Sequence, residues 1–174
     1  RMLEGSNVLI LGAGAIGYQM KKLLSAFNCE VSFYDKFNPE AQYSRPEELT
    51  KALSEADVII GCLPESPETI HLINGERLSL MKPTAIVVNA GRGSLIDDAA
   101  LAQKLIDGSI AGAVLDVTPK EPLQEDHPFW NCPNTILSQH TGGGYEEEVL
   151  DKVKVFLKNL QPYINNEPLN NLIP

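Results

Sequence analysis

The sequence predicts an α/β fold, a doubly wound parallel sheet in three layers with helices on both faces, and three observations carry that prediction. Short, almost wholly apolar runs such as Val8-Leu9-Ile10-Leu11 recur along the chain, as parallel strands covered on both faces require. Segments with helical apolar spacing separate these runs, so strand and helix alternate, without internal repeats or low-complexity tracts. The first run stops at a glycine-rich turn that opens a helix, the start of a βαβ unit. A chain of 174 residues with 43% hydrophobic content supplies one core, so residues 1–174 are expected to form a single domain, with linker segments at about 1–5 and 161–174.

Residues 8–11 are the first expected strand. Over 15–27 the apolar positions Ile16, Met20, Leu23, Leu24 and Phe27 recur at helical spacing opposite Gln19, Lys21 and Lys22, which predicts a crossover helix burying the apolar set. A second strand over 31–34 stops at Asp35, and Phe37-Asn38-Pro39 breaks regular structure. Ser44-Arg45-Pro46-Glu47-Glu48 has the early proline and first-turn carboxylates of a helix start, and that helix is expected to reach Leu53. Further strands are expected over 58–61, 85–89, 111–117 and 135–137, with helical segments near 76–81 and 98–107. A long last helix, about 146–160, is expected to end before Pro162.

Gly12-Ala13-Gly14-Ala15-Ile16-Gly17 spells G-x-G-x-x-G between an expected strand and an expected helix, the context that separates a dinucleotide site from a chance match. Gly12 permits the tight turn, Gly14 lets the backbone approach a pyrophosphate, and Gly17 allows close packing of helix on strand. The helix start then offers unpaired N–H groups to the anion. Asp35 lies 18 residues beyond Gly17 at the end of the second strand, where a carboxylate accepts from ribose hydroxyls and repels a 2′-phosphate. A Rossmann-type domain binding NAD rather than NADP is therefore expected, with Lys36 as the neighbouring cation.

In an open α/β sheet a ligand sits beyond the carboxyl ends of the strands. Three strand ends carry chemistry there: Arg92 in Ala90-Gly91-Arg92-Gly93, Glu121 after Val114-Leu115-Asp116-Val117, and His140 after Ile136-Leu137-Ser138-Gln139. A guanidinium clasps a carboxylate bidentately and polarises an adjacent carbonyl. An imidazole held by a carboxylate donates a proton to a developing alkoxide near neutral pH. His71 and His127 are read as structural.

With these residues in place, the chain closely resembles the D-isomer-specific 2-hydroxyacid dehydrogenases, whose nucleotide-binding domain it matches over about 5–156. The resemblance rests on the glycine fingerprint with Asp35, on Cys62-Leu63-Pro64 with Thr69, on the run Asn89 through Asp97 that contains Arg92, on Leu115-Asp116-Val117 through Glu121-Pro122, and on Ser138-Gln139-His140. It implies that Arg92 holds the substrate carboxylate, that Glu121 partners the histidine and that His140 is the general acid/base. It implies a cofactor site of Gly12, Gly14, Ala15, Ile16, Gly17, Asp35, Leu63, Pro64, Thr69, Ala90, Gly91, Arg92, Asp116, His140 and Gly143. Asp116 would lie on the nicotinamide side, and Ile16 would lend its backbone to the pyrophosphate. The resemblance also implies oxidoreductase activity on a small 2-oxo or 2-hydroxy acid, a homodimer, and a second, substrate-binding domain that this chain lacks. The chain is thus expected to bind NAD but to turn over poorly alone. Tyr145 stands where the family commonly has threonine. An NAD(H)-sensing, corepressor-like protein is the second reading, because the family includes such proteins.

A net charge of -9, from 23 acidic against 14 basic residues, argues against nucleic-acid or anionic-membrane partners. Cys29, Cys62 and Cys132 show no C-x-x-C pairing, so neither a disulfide framework nor a metal site is expected, and a reducing cytoplasm fits. The opening residues read like the interior of a longer protein, without the layout of a signal peptide.

Overall fold

A computed structural model describes residues 2–170. The chain divides into two compact units, one running through His140 and the other beginning at Thr141.

The first unit is built on a six-stranded sheet comprising β1 (Asn7–Leu11), β2 (Glu30–Tyr34), β3 (Val58–Gly61), β4 (Ile86–Asn89), β5 (Gly112–Leu115) and β6 (Thr135–Leu137). The order is β2-β1-β3-β4-β5-β6 and every pairing is parallel, as the strand–helix alternation requires. The chain leaves β1 in one direction to make β2 and returns past it to make β3, so the order reverses between β1 and β3. In an open α/β sheet such a reversal leaves a ligand crevice beyond the carboxyl ends of these two strands.

Helices cover both faces. One face packs Leu9, Leu11, Ile59, Val87, Ala113 and Leu115 against α2 (Pro46–Glu55), α3 (Gly75–Leu80) and α4 (Asp98–Ile106), through Leu49, Leu53, Leu78, Leu101 and Leu105. The other packs Val8, Ile10, Phe33 and Ile60 under α1 (Ala15–Ser25), through Leu24. Each buried Val, Leu, Ile or Phe among these contributes about 1.5–3 kcal/mol relative to leaving it in water. The helix starts follow the sequence: Asp97 and Asn74 side chains accept from the Ala100 and Arg77 N–H groups, and Pro46 opens α2 behind a Glu48 carboxylate that accepts from the Ser44 and Arg45 amides.

The buried face of α1 differs from the expected one. Leu24 is buried and Met20 half-buried, but Ile16, Leu23 and Phe27 are 58%, 62% and 57% exposed, and α1 ends at Ser25. Gly17 and Leu24 face the sheet instead, and Lys21, expected on the solvent side, sets its ammonium 5.2 Å from the Phe33 ring centroid. The inward face is thus rolled toward Gly17 and Lys21, away from Ile16 and Leu23. Gly17 is the cause: a Cβ there would meet the Gly12 carbonyl oxygen at 2.1 Å, so the closest approach of helix to strand falls on the residue with no side chain.

In the second unit α5 spans Glu148–Ile164. It begins two residues later than expected and continues through Pro162, so that residues 161–164, expected as linker, are helical. Proline costs the helix its own N–H, but the turn recovers beyond it, with the Asn165 N–H bonded to the Gln161 carbonyl at 3.0 Å. The Tyr145 hydroxyl donates to Asp151 at 2.8 Å, bracing the approach to α5. Residues 171–174 of the expected terminal linker lie outside the described residues. Among those described, no helix is long and apolar enough to cross a membrane.

Candidate functional site

The glycine turn sits at the β1–β3 reversal. Gly12 has φ +115°, a conformation side chains rarely adopt, and its N–H bonds the Tyr34 carbonyl at 2.9 Å. The first intrahelical bond of α1 runs from the Tyr18 N–H to the Gly14 carbonyl, 3.0 Å, so the amides of Ala15, Ile16 and Gly17 have no intrahelical acceptor. A Cβ built at Gly14 meets nothing within 4 Å. The turn thus presents open backbone donors and room beside them, the cradle a pyrophosphate requires.

Asp35 is half-buried at the end of β2 and does more than face the crevice. Its Oδ2 accepts from the Ala13 N–H at 2.9 Å and its Oδ1 from the Phe37 and Asn38 amides at 2.9 and 3.0 Å, while Asn38 Nδ2 donates to the Ala13 carbonyl at 2.8 Å. Three of about four lone-pair positions of the carboxylate are engaged. The residue therefore pins the glycine turn to the β2 loop and keeps limited capacity for a ribose hydroxyl. A cavity of about 1120 Å³ opens beside it, lined by Leu63, Pro64 and Thr69 among others. The Thr69 hydroxyl closes that wall by donating to the Pro64 carbonyl at 2.8 Å and accepting from the Ser66 N–H at 2.8 Å.

The loop after β4 is shaped by Asn89, which is 1% exposed although it ends an apolar strand. Its side chain donates to the Arg92 carbonyl at 3.0 Å and accepts from the Gly91 N–H at 3.2 Å. A Cβ at Gly91 would lie 2.8 Å from the Leu63 carbonyl oxygen, so this loop passes tightly over the one after β3. A Cβ at Gly93 would lie 1.9 Å from the Thr118 carbonyl carbon, so the arginine loop is also wedged against the segment leading to Glu121. Asn89 and Gly93 shape this loop without carrying chemistry of their own. The signal in each case is a residue out of pattern, a polar end to an apolar strand and a second glycine beside Arg92.

At the ends of β5 and β6 a cavity of about 430 Å³ is lined by Asp116, Thr118, Glu121, Trp130, Ser138 and His140 among others. His140 Nδ1 lies 2.8 Å from Glu121 Oε2, and the other Glu121 oxygen accepts from the Thr118 N–H at 3.1 Å. Since a carboxylate only accepts, the imidazole proton is assigned to Nδ1, which leaves Nε2 as the atom free to exchange a proton. His140 is held with φ +54°, its N–H bonded to the Asp116 carbonyl at 2.8 Å. Ser138 Oγ donates to the Asp116 carboxylate.

Arg92 is exposed and folds its Nη1 back to the Gly91 carbonyl at 2.7 Å. It does not line this cavity but contributes through its field: the His140 side chain, the Thr118 amide and, more weakly, the Arg92 charge hold the Glu121 carboxyl below the usual carboxylate range. The structure thus puts Glu121 and His140 in contact and Arg92 within electrostatic reach. Because the folded-state value is depressed, the stabilisation from Glu121 is complete above the ordinary glutamate range and is lost as pH falls through the depressed value. A side-chain carboxyl NMR titration should find Glu121 among the last glutamates to protonate. A midpoint at or above the ordinary value would contradict the pairing.

Gly143 belongs to the second unit, as does Tyr145. His127 pairs instead with Asp98, 2.9 Å from Nε2, while its Nδ1 accepts from the Phe129 N–H at 3.2 Å, which satisfies both nitrogens in place.

Residues 1–142 match the profile described as D-isomer specific 2-hydroxyacid dehydrogenase, NAD binding domain. The chain is 34% identical to a glyoxylate reductase of Aeropyrum pernix, over 98% of this chain and 52% of that protein. Among solved structures it superimposes on a D-isomer specific 2-hydroxyacid dehydrogenase from Xanthobacter autotrophicus in complex with NADPH and MES, with TM-score 0.91 and 27% identity, covering 100% of this chain and 73% of that one. It also superimposes on the NAD-complexed form of the Lactobacillus delbrueckii ssp. bulgaricus enzyme, with TM-score 0.84 and 26% identity, covering 100% and 57%. The chain spans about half the length of the relatives it matches. With its parallel sheet, glycine turn and Glu121–His140 pair, the chain belongs to the D-isomer specific 2-hydroxyacid dehydrogenase family, in the NAD-binding domain.

Proposed function

We propose that the chain is a single NAD-binding domain and that, together with the remaining half found in its relatives, it interconverts a 2-oxo acid and a D-2-hydroxy acid. The observation that carries this reading is the 2.8 Å contact between His140 and Glu121 at the strand ends of a sheet whose β1–α1 turn is an open anion cradle. The pyrophosphate would lie on the amides of Ala15, Ile16 and Gly17, and the adenosine ribose near Asp35. Bound NADH supplies the hydride.

The chain's own residues supply the rest. Arg92 would leave the Gly91 carbonyl for the substrate carboxylate, a bidentate partner that fixes the carbonyl in one orientation. His140 would give the proton on Nε2 to the carbonyl oxygen as it becomes an alkoxide, and take it back in the reverse direction. Glu121 is a positioning residue, keeping the Nδ1 proton in place so that Nε2 points outward and stabilising the imidazolium that donates. The test is NADH oxidation by the protein carrying both halves, against a panel that includes glyoxylate and hydroxypyruvate. Turnover of at least one 2-oxo acid is expected, and failure with every member would overturn the assignment.

A homodimer belongs to the same proposal. Ile16 and Leu23 on α1 and Phe27 just beyond its end are exposed apolar side chains that a second copy would cover. Sedimentation should give twice the chain mass, and a monomer at every concentration would remove this part. A cytoplasmic location is proposed from the three free cysteines, two of them buried.

A further inference from the structure

The cavity at the end of β2 carries more charge than ribose recognition needs. Besides Asp35, its lining includes Lys36, Arg45, Glu68 and Arg77. Arg45 is engaged on its own helix, 3.6 Å from Glu47 and 2.6 Å from Glu48, and Arg77 donates to the Leu72 carbonyl at 2.7 Å. Lys36, directly after Asp35, reaches across from the β2 loop to the β3 loop, where its Nζ lies 2.6 Å from Glu68 Oε1. The same ammonium sits 5.4 Å from the Phe37 ring centroid, which fixes it at the cavity rim.

We propose that Glu68 is a cofactor-discriminating residue that acts through Lys36, binding the cation next to Asp35 so that it does not pair with a 2′-phosphate on the adenosine ribose. The inference rests on the reading of this cavity as the adenosine site. A 2′-phosphate brings about −1.5 to −2 charge near neutral pH. Entering beside two carboxylates, Asp35 and Glu68, it needs a cation, and a flexible lysine serves as a point charge for phosphate. Lys36 paired with Glu68 meets the phosphate with its charge already partly neutralised, and a Lys36 that swings fully to the phosphate leaves Glu68 unneutralised in the same wall. A ribose hydroxyl makes no such demand, so Glu68 disfavours NADPH far more than NADH. Asp35 repels the same phosphate, and Glu68 adds a second negative charge while occupying the nearest cation.

The experiment titrates the 174-residue chain and its Glu68→Gln variant with NADH and NADPH, and with AMP and adenosine 2′,5′-bisphosphate as probes of the 2′ position alone. The substitution keeps the side chain's size and removes its charge. Affinity for NADPH and for the bisphosphate should rise about three- to fivefold, the scale of one exposed charge–charge interaction, with less than about a twofold change for NADH and AMP. Adding Lys36→Met should abolish the gain. An unchanged NADPH-to-NADH ratio in a variant that still binds NADH, or a gain that survives loss of Lys36, overturns the role of Glu68 alone. Failure of the unaltered chain to bind either dinucleotide overturns both this inference and the reading beneath it.

Discussion

Replacing His140 by asparagine should lower 2-oxo acid turnover in the two-domain protein by about 10²–10⁴-fold, the range for loss of a positioned general acid. The choice of asparagine follows from the backbone. His140 has φ +54°, and asparagine is among the few residues that adopt this conformation readily, so the substitution removes the proton donor without displacing the strand end. The bond from the residue-140 N–H to the Asp116 carbonyl should survive, and affinity for NADH should change much less than turnover. Glu121→Gln should cost less than His140→Asn, because the imidazole remains but loses the partner that fixes its tautomer. More than a tenth of the original turnover in His140→Asn would exclude this histidine as the acid.

The second large effect is expected at Gly17. A methyl group there would stand 2.1 Å from the Gly12 carbonyl oxygen and 3.3 Å from the Phe33 ring. The first contact is with backbone, and that backbone is tied to β2 by the Gly12 N–H bond to Tyr34. Neither neighbour can yield cheaply, so Gly17→Ala should destabilise the fold by about 1–3 kcal/mol, as overpacking does. It should also weaken NADH binding by at least about tenfold, since a modest misplacement at a preorganised site costs that much or more. Gly14→Ala is the control: with nothing within 4 Å of its new methyl, it should unfold like the parent chain yet lose NADH affinity, because the methyl occupies the approach of the pyrophosphate. A Gly17→Ala chain with parental stability, or a Gly14→Ala chain with parental affinity, would contradict the assigned roles.

The strand–helix rhythm and the placement of Arg92, Glu121 and His140 beyond strand ends were legible because each is a local signal. Apolar runs ending in glycine or a polar residue mark parallel strands, and a charged side chain just past a strand end has few structural reasons to be there. The inward face of α1 was not legible by the same means. Hydrophobic periodicity weighs Ile16, Leu23 and Phe27 heavily and Gly17 hardly at all, yet the glycine marks the close approach of α1 to the β1 turn and sets the helix's rotation. The end of α5 was missed because a proline near the last turn forfeits one hydrogen bond without forcing the chain out of its helical path.

The hydrogen bonds that shape the site lie further still from the sequence. Asn89 closing the arginine loop, Thr69 closing the cavity wall and Asp35 gripping the glycine turn all depend on where the loops meet in space. Asp35 is the instructive case. Its spacing from Gly17 correctly marked a strand-end acid, but the structure shows that much of its accepting capacity serves the protein itself.

The most direct test of the central claim is calorimetric titration of this chain with NADH and, separately, with NADPH. Saturable binding of NADH, clearly tighter than that of NADPH, is expected, with its loss in Gly14→Ala; absence of NADH binding in a folded chain would contradict the assignment of this domain.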